Sequence, residues 1–420
     1  MFARIKQIFN SKNSDLFKRI LFTLAALFVF KLGTAITVPG VQVNTSGMSF
    51  LEILNAMSGG AFNNASIFAL GVAPYITAQI VIQLLSADII PYLSELTKQG
   101  GVGRRKLNQI TRIAGIALAF IQGYMYSYAY IGSGSPMHYM LYSLILAAGT
   151  ALLMWIGDLI TTKGVGNGIS LIIMAGIISV LPNMFKNLWV ELIAKEFLGI
   201  MIFIAFVLVF IAIIVGIIYV ETAERRIPIQ YANKSNSTLG KQNYIPFKLN
   251  SAGVMPVIFA SALLSIPQII ASVIKNEKFT LFAQKYLSYT NGTGLILYIV
   301  LIFAFGYFYT FMQMKPKEMS DNLNKNGGYI PGIRPGEETT EYLKTVLKRI
   351  TIVGATFIAA LAVLPVIFEN VSNLQTTIAI SGTGVLIAVG VALETFKQIE
   401  SQLVSNSYNK GRRGRRRWKI

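Results

Sequence analysis

The stretch Phe197–Val220, FLGIMIFIAFVLVFIAIIVGIIYV, contains no charged residue and is long enough to cross a lipid bilayer as a single helix. Nine further stretches of the chain are similarly apolar. In chain order, the ten stretches are Ile20–Val38, Ile67–Pro91, Ile113–Ile131, Tyr139–Ile160, Val165–Leu181, Phe197–Val220, Ala252–Ile274, Gly294–Met314, Ile350–Phe368 and Thr376–Leu393. Most of them reach the roughly 20 apolar residues that a crossing helix needs. The sequence therefore predicts an all-α polytopic membrane protein with ten transmembrane helices.

The ten stretches have no carboxylate near their centres. Asp88, Asp158, Glu221 and Glu394 all lie within a few residues of a predicted cytosolic helix end. Ion-coupled transporters usually keep Asp, Glu or His inside their spans, because a charge there is costly and persists for a function. A coupled secondary transporter is therefore the less favoured function, although ten spans and a glycine-interrupted helix are compatible with its architecture.

The basic residues predict the orientation of the chain. It has 37 Lys and Arg against 18 Asp and Glu, a net charge of +19. With both termini cytoplasmic, Lys31 lies within the first span and 31 of the 37 basic residues fall on the cytosolic side. The five that face outward are Lys186, Lys195, Lys275, Lys278 and Lys285. Such an excess of Lys and Arg is typical of cytoplasmic loops, so we predict a multi-pass protein of the cell membrane with both termini in the cytoplasm.

The tail at residues 397–420 is more basic than topology requires. Five arginines lie between Lys410 and Lys419. Two interpretations are open: a disordered end attracted to anionic lipids, and a contact with an RNA-bearing partner.

The composition argues against catalysis and against a bound metal. There is no cysteine, and His138 is the single histidine, so we expect neither a thiolate nor a histidine-based metal site. Gly164–Gly168 imitates a dinucleotide-binding loop, but no Rossmann strand precedes it and no acidic partner follows. The sequence also has no HExxH and no GxSxG motif. We therefore expect no enzymatic activity, no catalytic residue and no cofactor.

Two cytosolic loops are much longer than the other connections. The loop at 221–250 contains Arg226–Tyr231 and Tyr244–Leu249, two short β-type runs around a polar tip, which predict a hairpin. The loop at 315–344 contains two Pro-Gly corners that flank Arg334. Such rigid turns on a basic loop indicate a protein-docking surface, with an ordinary connector as the alternative.

Two features near the first span have no assigned role from the residues alone. Phe50–Asn64 is too short and too polar to span, yet too apolar for a solvated loop. It predicts either a half-helix buried in a cavity or a helix at the membrane interface. Lys31, within an apolar stretch, must face the bundle interior, a wet cavity or a partner, or else snorkel toward the interface.

Five motifs, in this order among ten spans, resemble the SecY family, the central subunits of bacterial protein-conducting channels. They are Ser66–Ile80, Gly103–Lys106, Gly164–Ser170, Asn250–Pro256 and Pro331–Glu337. The resemblance covers nearly the whole chain. It implies two pseudo-symmetric five-helix halves around a central pore, the first at 20–190 and the second at 191–396, between an amino-terminal segment at 1–19 and the basic tail.

The resemblance also implies roles for particular residues. The stretch at about 50–64 is similar to the plug that closes the outer funnel of the channel. Its plug residues are Met57, Ser58, Gly59, Gly60, Ala61, Phe62, Asn63 and Asn64. The family's ring of aliphatic side chains at the narrowest point of the pore falls on Val72, Ile76, Ile169, Ile173, Ile258 and Ile387. Isoleucine is common in the family where this chain has Val72, which predicts a slightly looser seal.

The remaining implied roles concern the side exit and the partners. The second, third, seventh and eighth spans form the family's lateral gate, and Gln83 and Asn250 match polar gate positions. Arg225, Arg226 and Arg334 are the expected docking residues for the ribosome and the SecA motor. The other expected partners are the SecE and SecG subunits, secretory and membrane nascent chains with signal sequences, and the lipid bilayer. Contact of the two long loops with ribosomal RNA is also expected.

Overall fold

The structure is a computed structural model, and it describes residues 14–39, 55, 57–87, 89–130, 135–193, 196–231, 243–274, 276–287, 292–372 and 379–417. These residues are mostly helical. In chain order the helices are α1 Ser14–Thr34, α2 Ala73–Ser86, α3 Pro91–Lys98, α4 Gly100–Tyr130, α5 Pro136–Lys163, α6 Gly168–Ile193, α7 Glu196–Thr222, α8 Met255–Ile274, α9 Glu277–Phe282, α10 Gly292–Met314, α11 Pro316–Lys325, α12 Glu337–Ser372 and α13 Ala379–Arg417. A π-helical turn, Ala283–Leu287, follows α9. The strands are β1 Glu224–Tyr231, β2 Asn243–Lys248 and β3 Gly328–Tyr329.

Each of the ten apolar stretches overlaps a helix of the structure. Among the described residues, five helical segments are long and apolar enough to cross a membrane. They are Pro136–Lys163, Gly168–Leu192, Gly199–Thr222, Gly292–Lys325 and Glu337–Leu364. A sixth candidate is the bent pair α2 and α3. Since no soluble domain needs helices of this kind, the chain is a multi-pass membrane protein.

The second apolar stretch differs from its prediction as one continuous span, Ile67–Pro91. The helix in this region, α2, begins only at Ala73, and α3 leaves at 94° to it. The 14 residues of α2 reach about 21 Å, short of the roughly 30 Å hydrocarbon core. Prolines lie within the first two residues of α2 and of α3, where their missing N–H groups cost nothing. Apolarity alone does not separate a helix from a buried series of turns, which is why the helix is shorter than the apolar stretch; whether the bent pair crosses as one span stays a prediction.

The chain divides into two compact units. The first comprises Met1–Phe203, Ile269–Asn276 and Ile387–Ile420, and the second comprises Ile204–Gln268 and Glu277–Leu386. The core of the first unit is formed by buried side chains from α4, α5 and the turns that precede α2. Its buried members are Val38, Phe62, Ala69, Leu70, Ala119, Tyr126, Tyr142, Leu146 and Ala147.

In the second unit the two long loops form a single antiparallel sheet with strand order β2-β1-β3. The predicted hairpin is confirmed, since β1 pairs with β2 from Glu224 opposite Lys248 to Ile229 opposite Asn243. The short strand β3 then joins the second loop to β1 through the pair Gln230 and Tyr329. This link between the two loops is not apparent from the sequence.

The sheet rests on α12 through one hydrophobic cluster. Its buried members are Ile227, Phe247, Ile330, Leu343, Val346, Leu347 and Ile350. We call the three strands, the turn Ile330–Gly336 and the first turns of α12 the sheet platform. Because both loops share this core, the sheet platform is one packed body rather than two separate connections.

The last helix, α13, continues to Arg417. At 39 residues it is about 58 Å long, almost twice the thickness of a hydrocarbon core. The sequence analysis allowed a disordered basic end, whereas this end is helical as far as Arg417.

Candidate functional site

Most of the predicted plug residues are packed inside the first unit, whereas Asn63 and Asn64 are exposed. Ser58, Ala61 and Phe62 are 1%, 0% and 3% exposed, and the Phe62 ring lies edge-on to Tyr126 of α4, with 5.5 Å between ring centroids. Residues 58–64 form turns rather than a helix. The described part of the stretch is therefore a buried irregular segment, and not the interfacial helix that the sequence left open. Residues 50–54 and Ala56 lie outside the described residues. We call Met57–Asn64 the plug segment.

Hydrogen bonds to Asn55, just before the plug segment, and within the segment itself satisfy part of its irregular backbone. The Gly60 amide donates to the carbonyl oxygen of Asn55 at 2.8 Å, and the Asn63 amide donates to the Asn55 side chain at 3.0 Å. The Phe62 amide donates to the Ser58 hydroxyl at 3.3 Å. Non-helical backbone at membrane depth persists only where protein or water supplies such partners. The segment therefore has a defined fold of its own.

Two glycines allow the plug segment to lie directly against α6. Gly59 has a φ of +74°, a conformation that side chains with a Cβ rarely adopt. A Cβ added at Gly176 of α6 would lie 2.6 Å from the carbonyl oxygen of Met57 and 3.1 Å from the amide nitrogen of Gly59. Backbone thus packs on backbone, and neither position leaves room for a side chain. No local sequence pattern marks Gly176 as a contact of the plug segment.

Two side chains reach the plug segment from neighbouring helices. Helix α1 ends at Thr34, four residues before the predicted end of its stretch, so Lys31 lies in its last turn. The Lys31 ammonium donates to the carbonyl oxygen of Gly59 at 3.1 Å. The Ser179 hydroxyl of α6 lies 3.4 Å from the same oxygen and also donates to the Gly176 carbonyl at 2.8 Å. The sequence leaves the role of Lys31 open, and no local pattern marks Ser179 as a neighbour of the plug segment.

Four predicted ring residues of the first unit lie near the starts of two helices. Val72 is the N-cap residue of α2, and Ile76 follows one turn later; they are 1% and 5% exposed. Ile169 and Ile173 occupy successive turns at the start of α6, where Ile169 is half-buried and Ile173 is buried. The last two predicted positions, Ile258 of α8 and Ile387 of α13, are also buried. Their assembly into one ring stays a prediction.

The two predicted gate residues have different surroundings. Gln83 lies in the last turn of α2, and its Oε1 atom is buried with no hydrogen-bond partner among the described residues. Asn250 precedes α8 and is 6% exposed. Its amide donates to Glu221 at the end of α7 at 2.6 Å and to the Gly253 carbonyl at 3.0 Å. Asn250 thus ties the base of the hairpin to α7, a contact that the sequence did not predict.

The predicted docking arginines are exposed on the sheet platform. The Arg334 side chain is 87% exposed and reaches Glu338 only at 3.8 Å. Its backbone is fixed, because Gly332 and Gly336 on either side have φ values of +83° and +107°. The Thr339 hydroxyl also donates to the Arg334 carbonyl at 2.8 Å. The prediction of two tight turns on either side of Arg334 is confirmed, and the structure adds that the side chain is exposed.

On the hairpin, Arg225 and Arg226 are exposed on β1. Arg226 donates to Glu224 at 2.8 Å and lies 4.8 Å from the centroid of the Tyr244 ring. The hydrogen bond that the Arg226 guanidinium donates to Glu224 raises the pKa of that guanidinium above its ordinary value. The hairpin therefore presents permanently charged groups to solvent. Among the described residues, no group of His, Asp or Glu side chains could hold a metal ion.

Comparison with known proteins agrees with this architecture. A model of the SecY family matches residues 66–396. The "Protein translocase subunit SecY" of Bacillus licheniformis is 44% identical, and the alignment covers 97% of this chain and 99% of the relative. The chain belongs to the SecY family. The family match spans every predicted ring, gate and docking residue, and the plug segment lies just before it.

Solved structures of SecY-type fold resemble the whole chain. "The structure of a protein conducting channel" has a TM-score of 0.70 and 21% identity, and 93% of each chain is covered. A second structure has a TM-score of 0.68, 21% identity and the same coverage. It is described as showing that the plug domain of the SecY protein stabilises the closed state of the translocation channel and maintains a membrane seal. These two likenesses support the fold.

Proposed function

We propose that this chain is the channel subunit of a protein translocase. It conducts unfolded secretory polypeptides across the cytoplasmic membrane and releases transmembrane segments sideways into the lipid. The observation that carries this proposal is the near full-length relationship to a translocase subunit, in a chain whose membrane helices enclose a buried, irregular plug segment. A channel subunit of this kind is not an enzyme, and the energy for transport comes from its partners.

The proposed pore seals by apolarity rather than by charge. Ten spans in two five-helix halves surround a ring formed by Val72, Ile76, Ile169, Ile173, Ile258 and Ile387. Aliphatic side chains exclude water from a narrow gap, and ions do not cross a dewetted gap. The same side chains have no fixed hydrogen bonds to break, so they can move apart around any polypeptide sequence. The plug segment would close the pore on its outer side.

The proposed side exit lies along the second, third, seventh and eighth spans. A hydrogen bond between helices in an apolar gate stabilises the closed state by about 1 kcal/mol. That is enough to tune the response of the gate to weakly hydrophobic signal sequences. Gln83 suits this role because its buried oxygen has no partner among the described residues. Asn250 is the second proposed gate residue, although its described bonds are local. A signal sequence opens the gate by binding the open state preferentially.

The proposed docking surface is the sheet platform. With both termini cytoplasmic, Arg225, Arg226 and Arg334 face the cytosol, where they meet the ribosome, including its RNA, or the SecA motor. Rigid turns with exposed guanidinium groups suit carboxylate and phosphate partners, since arginine forms paired hydrogen bonds with both. SecE and SecG are the proposed partners within the membrane.

The test is photocrosslinking from residue 173 of the proposed ring to a stalled secretory nascent chain. Ile173 lies on α6 and is 4% exposed. Residue 285, an exposed lysine in the π-helical turn after α9, is the external control. We expect a crosslink at 173 that requires a functional signal sequence, and no crosslink at 285. If an engaged complex gave no crosslink at 173, the ring assignment would be wrong and a coupled transporter would have to be reconsidered.

A further inference from the structure

The plug segment raises a physical question that the ring and the gate do not answer. A segment that seals a channel has to stay in place at rest and still leave when a polypeptide arrives. A strand paired with a neighbouring strand would be held through many backbone hydrogen bonds, and all of them would break on opening. Residues 58–64 form turns without such pairing, so the segment is held by the packing of Ala61 and Phe62 and by a few polar contacts with neighbouring helices.

The carbonyl oxygen of Gly59 is the point where such contacts converge. Gly59 has a positive φ within a turn, next to the backbone of α6. A buried backbone carbonyl needs a donor. The Lys31 ammonium of α1 donates to this oxygen at 3.1 Å. The Ser179 hydroxyl of α6 lies 3.4 Å from the same oxygen, but its single hydrogen is shared with the Gly176 carbonyl at 2.8 Å, so Ser179 is the weaker donor.

Among the described residues, Lys31 donates a hydrogen bond to the Gly59 carbonyl oxygen and to no other group. Lys31 is otherwise an exposed residue of the first unit. A lysine in an apolar span is costly and is usually retained for a function. The last turn of α1 favours a cation because the helix dipole is negative there. That position also brings the ammonium within reach of the plug segment.

We propose that Lys31 is a positioning residue that anchors the plug segment in the closed channel, through the carbonyl oxygen of Gly59 and with the help of Ser179. This inference rests on the proposed channel function and adds the means by which the closed state is held. A hydrogen bond from a charged donor is stronger than one between neutral groups. The bond from Lys31 to Gly59 stabilises the closed position of the plug segment. Its loss should leave the surrounding helices intact, because their own backbone hydrogen bonds are not involved.

The test uses the absence of cysteine from the chain. Ala61 of the plug segment is 0% exposed, so a single Ala61→Cys reacts with a water-soluble maleimide only when the segment leaves its site. The full chain with its partner subunits is reconstituted in proteoliposomes, and the labelling rate is measured without any translocating polypeptide. Thermal unfolding of each variant is measured in parallel.

In the Ala61→Cys background, Lys31→Met removes the ammonium donor and its positive charge and keeps an unbranched side chain. We expect labelling to accelerate roughly ten- to a hundredfold, the factor that corresponds to losing a hydrogen bond to a charged group. Lys31→Arg keeps a cationic donor and should label at nearly the parental rate. Ser179→Ala should accelerate labelling only about two- to fivefold, because the 3.4 Å contact is long.

Two outcomes would overturn the inference. One is a parental labelling rate in Lys31→Met. The other is equal acceleration in the Met and Arg variants together with a lower unfolding temperature, which would indicate a general structural role. Failure of the channel function gives a separate result: adding an engaged signal-bearing substrate would not accelerate labelling of the Ala61→Cys parent. The substrate-free rates would still support or overturn the anchoring role of Lys31.

Discussion

The plug segment and the sheet platform are both rich in turns, yet they are held in different ways. The sheet platform has a hydrophobic core that includes Phe247, Leu343 and Leu347, each with no exposed surface. The plug segment contributes Phe62 to a core, but its turn at Gly59 is held by side-chain donors on α1 and α6. A core resists displacement as a whole, whereas a few hydrogen bonds can be exchanged one at a time. The comparison indicates a fixed surface in one unit and a releasable segment in the other.

The largest effect is expected at the surface of the sheet platform. Arg334→Glu reverses an exposed charge without touching the core, so folding should be unaffected. Placing like charges together in a complementary interface costs several kcal/mol, so motor-driven export should fall on the order of a hundredfold. The loss of export is measured by in vitro translocation of a secretory precursor. The unaffected folding is measured by thermal unfolding of the variant.

Lys325→Glu is the matched control for Arg334→Glu. Lys325 is exposed at the end of α11 in the same loop, outside the two tight turns. We expect it to retain most of the export activity. Normal export by Arg334→Glu would remove this residue from the docking surface, and equal loss in both variants would mean that net charge, rather than a defined contact, is recognised.

A smaller effect is expected where the plug segment touches α6. Gly176→Ala introduces a methyl group 2.6 Å from the Met57 carbonyl oxygen, so the plug segment has to shift. Overpacking of this kind costs about 1–3 kcal/mol, which predicts roughly tenfold faster maleimide labelling of Ala61→Cys. The helix itself should not suffer, since alanine is a better helix former than glycine.

The control for Gly176→Ala is Gly216→Ala in α7. A Cβ at Gly216 meets only the end of the Phe357 ring, at 3.6 Å, which is ordinary contact. We expect parental labelling for this variant. If Gly176→Ala also labelled at the parental rate, the plug segment would not be seated against α6 in the membrane.

The sequence predicts the helices of this chain far better than it predicts the contacts of the plug segment. Every backbone polar group of a spanning helix is satisfied within that helix, so the apolar stretch carries the information locally. The bond from Lys31 to Gly59 joins residues 28 apart, and the contact from Ser179 joins residues 120 apart. No local pattern encodes such pairs. The resemblance to a known family indicated the plug residues but not the groups that hold them.

In the sheet platform, too, local sequence patterns predict the elements but not the contacts between distant parts of the chain. Two short β-type runs around a polar tip predict the hairpin, and the two Pro-Gly corners predict the turns around Arg334, because both signals are local. The two-residue strand β3 is too short to give a pattern, and the bond from Tyr329 to Gln230 joins residues 99 apart. The union of the two loops into one body therefore became visible only in the folded chain.

The smallest effect is expected at Asn250, at the base of the sheet platform. Asn250→Leu removes the buried donor to Glu221 and to the Gly253 carbonyl, which should lower the free energy of unfolding by about 1–3 kcal/mol. The neighbouring Ser251→Ala removes one exposed bond to the Lys248 carbonyl and should change stability by less than about 1 kcal/mol. Asn250 could stabilise the sheet platform or tune the lateral gate, and two measurements separate these roles. They are the unfolding curves of both variants and the translocation of precursors with weakly hydrophobic signals. Lower stability with unchanged signal selectivity would assign Asn250 to the fixed body alone, whereas altered selectivity at full stability would assign it to the lateral gate.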